Sequence, residues 1–188
     1  MSSLAQPRSP TALGTGKLGL LLVLASESVF FMTALVAYAA LRGQTTWLLD
    51  HSLARLTIPL VNTGILLLSV FPAGWAVASI RRGQQSALGL WLAASLALGM
   101  VFVAGQVYEF GRAGLRIDDQ AFGGVFFTLI AFHAVHVLAG VVFLAINLAR
   151  ARLGDFSARD FTSIELGTWF WYFVAAVWLV LFAALYLI

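Results

Sequence analysis

The sequence contains no cysteine and few charged side chains. Of its 188 residues, 10% are Asp, Glu, Lys or Arg and 61% are hydrophobic. The absence of cysteine excludes disulfides, thiolate metal ligands and Cys nucleophiles. A soluble domain typically carries about 25% charged residues, so the polar side chains here are too few to cover a water-facing surface. We therefore expect an integral membrane protein.

The positive charges are placed as in a membrane protein rather than a nucleic-acid-binding one. Lys and Arg stand singly or in pairs at the ends of apolar stretches, so no nucleic-acid partner is expected. Seven of the eleven fall on the side of the N-terminus, which is therefore predicted to be cytoplasmic. The expected location is a bacterial plasma membrane or an equivalent inner membrane.

Five apolar stretches are long enough to cross a bilayer, which takes roughly 20 residues. Lipid cannot satisfy open backbone groups, so each stretch should be a helix, and short connections should make sequential helices antiparallel neighbours. The predicted fold is an all-α, polytopic membrane domain over 17–188, preceded by a flexible polar tail over 1–16. The predicted helices cover about 17–41, 56–80, 86–108, 121–149 and 166–188.

Small and aromatic residues suggest where these helices pack. Gly89, Ala93 and Ala97 repeat every four residues in the third helix, which is typical of a ridge for close helix packing. Trp178 lies near mid-depth in the fifth helix. Trp178 either packs between helices or lines a partner surface or a lipid-filled cleft.

One acid, Glu27, lies near the middle of the first predicted helix. A charge at that depth costs at least about 2.5–3.5 kcal/mol on insertion scales. We therefore expect a carboxyl group that is neutral, or hydrogen-bonded and facing protein. It is either part of a proton relay that opens onto a cavity or a protonated group that joins two helices.

Two histidines, His133 and His136, share one face of the fourth helix at i and i+3. A metal or haem site would need more, since two His supply half of a tetrahedral site and Cys is absent. The remaining histidine, His51, falls in a loop. We predict structural hydrogen bonding and no metal site, with a haem-bearing membrane anchor as an alternative.

Four other polar residues sit inside the spans or at their ends. Asn62 and Gln106 are expected to hydrogen-bond across helices. Glu109 closes the third span at the outer interface, and Glu165 opens the fifth, where a helix N-terminus favours an anion. All four are predicted to be structural.

Five segments in order resemble one family, subunit III of the haem–copper respiratory oxidases in its short five-helix form. The first has a carboxylate after a Ser and before a Phe pair, here Glu27. The second segment contains Pro-x2-Asn, and the third contains Gln-x-Tyr-Glu. The fourth contains two His spaced by two residues before a Gly, and the fifth contains a Glu followed by a Trp cluster. These segments are LGLLLVLASESVFFMTALVAYAAL, IPLVNTGILLLS, GQVYEF, FHAVHVLAG and IELGTWFWYFVAAVWLVLF.

The resemblance implies a subunit without a cofactor of its own. Such a subunit packs on the catalytic subunit I, and haem and copper belong to the partner oxidase subunits. It also implies phospholipid binding, with Arg150 aligned to an Arg that contacts a lipid phosphate. Trp178, from its depth in the fifth helix, is the second predicted lipid-binding residue. The implied role is to support turnover and proton uptake of a proton-pumping terminal oxidase in an aerobic respiratory chain.

The last helix departs from the family pattern. Tyr172 stands where a His is common, and Ala175 stands where an Asp is common. These departures leave a related possibility open, an accessory subunit of a nitric oxide reductase. A small proton-conducting membrane protein built around Glu27 is the other alternative.

Overall fold

The computed structural model describes residues 14–42, 53–113 and 120–187. Across these ranges all regular structure is helical, and five helices contain a segment long and apolar enough to span a membrane. This confirms the prediction of an all-α, five-helix membrane protein. Most of the predicted tail, and His51, lie outside the described residues. The helices are α1 (Thr15–Arg42), α2 (Leu53–Arg81), α3 (Gln85–Ala113), α4 (Gln120–Arg152) and α5 (Thr162–Phe182), and a π-helical turn (Ala183–Leu187) follows α5.

The helices are longer than the apolar stretches from which they are predicted. α4 has 33 residues, or about 50 Å at 1.5 Å per residue, whereas the hydrocarbon core is about 30 Å thick. α3 runs on to Ala113, and α5 already begins at Thr162. Backbone hydrogen bonding thus continues past the first charged residue, so the helix ends extend beyond the apolar segments.

The packing order differs in one respect from the expected chain of neighbours. α2 and α3 form the most extensive contact, and α3 also packs on α4 and α4 on α5, as expected for short connections. α1, however, packs mainly on α4 and α5 rather than on α2. α5 also contacts α2, so the last helix has α1, α2 and α4 around it. The predicted adjacency of α1 and α2 is wrong because tertiary packing, not chain order, selects the partner.

The main core is built around the indole of Trp171 on α5. This side chain is fully buried, and its Nε1 donates a hydrogen bond to Ser69 Oγ on α2 at 2.9 Å. α3 and α4 approach the ring closely because Gly99 and Gly140 lack a Cβ, which would lie 2.9 Å and 2.6 Å from ring atoms. The predicted ridge makes no close approach at Gly89, where a Cβ would meet nothing within 4 Å.

α1 joins the bundle through a smaller cluster. Phe31 and Tyr38 are buried there against Leu129 of α4 and Leu181 of α5. Most of the other large apolar side chains of α1, such as Val29 and Val36, are exposed. The larger part of α1 therefore faces away from the rest of the chain.

Candidate functional site

The mid-membrane polar site pairs Glu27 of α1 with His136 of α4. Oε2 of Glu27 lies 3.2 Å from Nε2 of His136. The other ring nitrogen, Nδ1, lies 2.7 Å from the carbonyl oxygen of Phe132, one turn earlier on α4. Two residues that the sequence marked separately thus form one site that joins two helices.

The two contacts of the imidazole fix the proton count of this pair. A carbonyl oxygen only accepts, so Nδ1 must carry the proton that it donates to Phe132. A hydrogen bond between Nε2 and Oε2 then requires one further proton, either on the ring or on the carboxyl group. An imidazolium with a carboxylate and a neutral imidazole with a carboxylic acid both have zero net charge. A hydrogen-bonded pair is electroneutral in both arrangements, which reduces the energetic cost of placing it in hydrocarbon.

Aromatic rings surround the pair without closing it off. Phe31 meets the His136 ring edge-on at 5.3 Å, and Phe170 stacks on it at 6.3 Å between centroids. The side chains of Glu27 and His136 remain 33% and 15% exposed. The site therefore opens on the outer surface of the chain between α1 and α4.

His133 points instead into the bundle. It is 2% exposed, its ring stacks on Trp178 at 5.1 Å, and neither ring nitrogen has a hydrogen-bond partner among the described residues. The structure thus gives it ring stacking in place of the hydrogen bond expected from the sequence. The two histidines therefore lie in different surroundings. Among the described residues, no group of three or more His, Asp or Glu could hold a metal ion.

Trp178 lies in the interior and not beside lipid. Its indole is 1% exposed and donates to Thr63 Oγ1 at 2.9 Å, and Phe102 meets it edge-on at 5.2 Å. The sequence-based assignment of Trp178 to a lipid surface is corrected on this ground, because neighbouring helices enclose the ring. Arg150, the other predicted lipid ligand, is on the surface with a side chain 44% exposed. It contacts Asp155 at 3.3 Å and lies over the Phe156 ring at 4.7 Å.

Glu165 is the centre of an ion-pair cluster at one end of the bundle. Its carboxylate lies 2.5 Å from Lys17 Nζ and 2.6 Å from Arg81 Nη2, while its own side chain is only 8% exposed. The cluster ties together the starts of α1 and α5 and the end of α2. The charge count predicts all three residues on one side of the membrane, but sequence spacing does not indicate that the two cations pair with this acid.

A second carboxyl group, Glu109, lies at the opposite end. Tyr186 donates a hydrogen bond to its Oε1 at 2.8 Å, whereas Oε2 is buried without a partner among the described residues. One turn earlier, Gln106 is buried and its Nε2 also lacks such a partner. Asn62 donates to the carbonyl oxygen of Phe102 at 3.1 Å and so joins α2 to α3.

The fold and these sites define a class of protein: a polytopic helical membrane protein whose polar groups mostly join its own helices. A family model described as "Cytochrome c oxidase subunit III" matches residues 9–188, and the chain belongs to this family.

Curated relatives carry the same name. The cytochrome c oxidase subunit 3 of Thermostichus vulcanus is 32% identical over 173 residues, which cover 91% of this chain and 86% of that protein. That of Ornithorhynchus anatinus is 37% identical over 131 residues, covering 70% of this chain and 50% of that protein. That of Coturnix japonica is 32% identical over 186 residues, which cover 95% of this chain and 71% of that protein. The chain thus spans most of the first relative and about half of the second.

Proposed function

We propose that this chain is the non-catalytic subunit III of a proton-pumping haem–copper terminal oxidase in a bacterial plasma membrane. The supporting observation is the family match over residues 9–188, which takes in all five helices. In this proposal haem and copper reside in partner subunits, and the N-terminus is cytoplasmic. The chain packs on the catalytic subunit and supports turnover and proton uptake.

The arrangement of α1 favours a role in assembly with another membrane subunit. α1 exposes a long apolar face, and the neutral Glu27–His136 pair opens between α1 and α4. An apolar face satisfies lipid alone, but a polar pair in hydrocarbon is better stabilised by a protein or lipid group that hydrogen-bonds to it. We infer that the catalytic subunit or an ordered phospholipid covers this opening.

Arg150 is the proposed phospholipid contact of this function. Its guanidinium is nearly half exposed at the end of α4, and its contact with Asp155 is a long 3.3 Å. A cation in this position attracts lipid phosphate. The lipid role is assigned to Arg150 alone, since Trp178 is enclosed.

Affinity purification from native membranes tests the proposal. A tagged chain solubilised in mild detergent is expected to bring down haem-containing subunits, seen as a Soret band and as the catalytic subunit by mass spectrometry. A complex stripped of the chain should lose oxidase activity faster during turnover, and adding the chain back should restore it. A chain that elutes alone and colourless from membranes with an active oxidase would contradict the proposal.

The same purification decides the second candidate, an accessory subunit of a nitric oxide reductase. Tyr172 and Ala175, which replace common family residues, are the observation that favours it. Recovery of a nitric oxide-reducing complex instead of an oxygen-reducing one would select this candidate. Proton flux through liposomes that hold the chain alone, dependent on Glu27, would select a proton-conducting protein instead.

A further inference from the structure

A groove opens between α2 and α3 near the turn that joins them, and none of the site residues described above lines it. It has a volume of about 370 Å³ and is lined by Trp75, Ala78, Ser79, Arg82, Gln84 and Trp91. Two of its polar residues, Arg82 and Gln84, belong to the turn, and the third, Ser79, lies in the last turn of α2. Its two indoles lie about six residues deeper on each helix, or about 9 Å. The groove is therefore polar at its mouth and aromatic at its base.

The charge at the mouth is unpaired. Arg81, the preceding residue, is held by Glu165 at 2.6 Å, but Arg82 is exposed and makes no ion pair with any described residue. A guanidinium presents several N–H donors in a fork that suits phosphate. The mouth of the groove therefore complements an anion.

The base of the groove suits an acyl chain. The rings of Trp75 and Trp91 lie 4.8 Å apart at 59°, and Phe71 continues the aromatic surface 6.3 Å from Trp75. Trp75 and Phe71 are 50% and 57% exposed. Neither indole N–H of the pair has a hydrogen-bond acceptor among the described residues, in contrast to those of Trp171 and Trp178. Tryptophan at this depth is amphipathic, with its ring against lipid tails and its N–H free for an ester or phosphate oxygen.

We propose that this groove binds one anionic phospholipid, with its phosphate on Arg82 and its glycerol and upper acyl chains against Trp75 and Trp91. A soluble anion would use the mouth but leave the aromatic base empty. A zwitterionic lipid would fill the base but gain less at Arg82, because its own cation opposes the guanidinium. The site is separate from Arg150 and does not depend on the proposed oxidase function.

Lipid titration of the purified complex in which the chain occurs tests this site. The protein is delipidated, placed in nanodiscs of phosphatidylcholine with increasing phosphatidylglycerol, and bound phosphatidylglycerol is counted by native mass spectrometry. Arg82→Gln is expected to weaken phosphatidylglycerol binding about fivefold, the usual contribution of one cation near a membrane surface. Arg159→Gln, an exposed arginine in the α4–α5 connection, is the matched control and should leave binding unchanged.

Two further arms identify the occupant. Phosphatidylglycerol brominated in its upper acyl chain should quench tryptophan fluorescence, and the Trp75→Phe/Trp91→Phe variant should lose that part of the quenching. Glycerol 3-phosphate, which has the headgroup chemistry without chains, should not displace the lipid. Both tryptophans lie at a surface groove, so the variant is expected to fold.

Four outcomes would overturn the proposal. They are an Arg82→Gln variant with unchanged lipid affinity, equal quenching by brominated phosphatidylcholine, displacement by glycerol 3-phosphate, and photocrosslinking from position 75 to another protein subunit instead of lipid. The last outcome would make the groove a protein interface.

Discussion

Glu27 and His136 show what sequence reasoning reaches at the scale of single residues. Each was marked as unusual because a polar group within an apolar run is costly. Their pairing could not be read from the sequence, because it depends on the relative depth of α1 and α4 and on which helix α1 packs against. The contact at 3.2 Å supplies that information and turns two separate anomalies into one neutral pair.

Substitutions at this pair should be strongly non-additive. His136→Leu leaves a carboxyl group with no partner and should destabilise the protein by about 2 kcal/mol. Glu27→Gln retains a donor for Nε2 and should have little effect. In the Glu27→Leu/His136→Leu double variant no polar group remains, so stability should largely recover. The measurement is the unfolding midpoint of the purified protein in increasing sodium dodecyl sulfate.

Additive effects in that series would show that the two side chains do not interact in the native protein. Thr33→Val is a suitable control, since its hydroxyl is on the same helix and donates within that helix to the carbonyl oxygen of Val29 at 2.8 Å.

Glu165 is the opposite case, because the sequence partly predicts which residues it pairs with. The sequence placed this acid at the start of a helix, and the positive-charge count placed Lys17 and Arg81 on the same side of the membrane. A buried charge without a partner is strongly destabilising, so a buried acid is expected to pair with cations at its own depth. The shared side of the membrane therefore predicts an ion-pair cluster around Glu165, although not the choice of Lys17 and Arg81 among the seven cations on that side.

At the scale of helices, the contacts around Trp171 explain why the glycine pattern misled. Four-residue spacing selected Gly89, but the two glycines that matter, Gly99 and Gly140, belong to different helices and share no sequence pattern. They are linked only through the indole that both contact. A close approach of this kind is a property of the packed bundle, so a pattern within one helix does not reveal it.

Gly140→Ala should destabilise the bundle, whereas Gly89→Ala should not. The added Cβ at position 140 lies 2.6 Å from Cε3 of Trp171, so the ring or the helix must move, at a cost of about 1–3 kcal/mol. At position 89 the Cβ meets nothing within 4 Å, and alanine favours the helix by up to about 1 kcal/mol. Thermal unfolding of the purified protein measures both.

A second substitution links the effect to the ring. Trp171→Phe removes the outer part of the indole, so Gly140→Ala should be less harmful in that background than in the native one. Equal stability of the two alanine variants would mean that α4 does not approach Trp171 as closely as described.

At the scale of the whole molecule, the number of membrane-spanning helices was predictable and their arrangement was not. Length and lack of charge define each helix locally. The neighbours of α1 depend on which apolar faces and polar pairs match across the bundle, and these matches involve residues more than a hundred positions apart, such as Phe31 and Leu181. The orientation in the membrane likewise stays a prediction from charge counts.

Cysteine labelling tests that orientation, and the native sequence has no thiol to give background. Ser86→Cys and Gly111→Cys introduce thiols at opposite ends of α3. With a cytoplasmic N-terminus, a membrane-impermeant maleimide added to intact spheroplasts should label Gly111→Cys at once and Ser86→Cys only after permeabilisation. The reverse pattern would place the N-terminus outside.

The position of α5 bears on how the chain is made. Ribosomes release the N-terminal helices first, yet Glu165, the acid that holds Lys17 and Arg81, and the two buried indoles belong to the last helix. The α2–α3 hairpin can form early. Most polar and apolar partners of α1 lie on α4 and α5, which are made only when translation is nearly complete. Until then two cations lack their shared acid and the core lacks its largest side chains. A chain that ends before α5 would therefore present a recognisable defect to the proteases that remove incomplete membrane proteins.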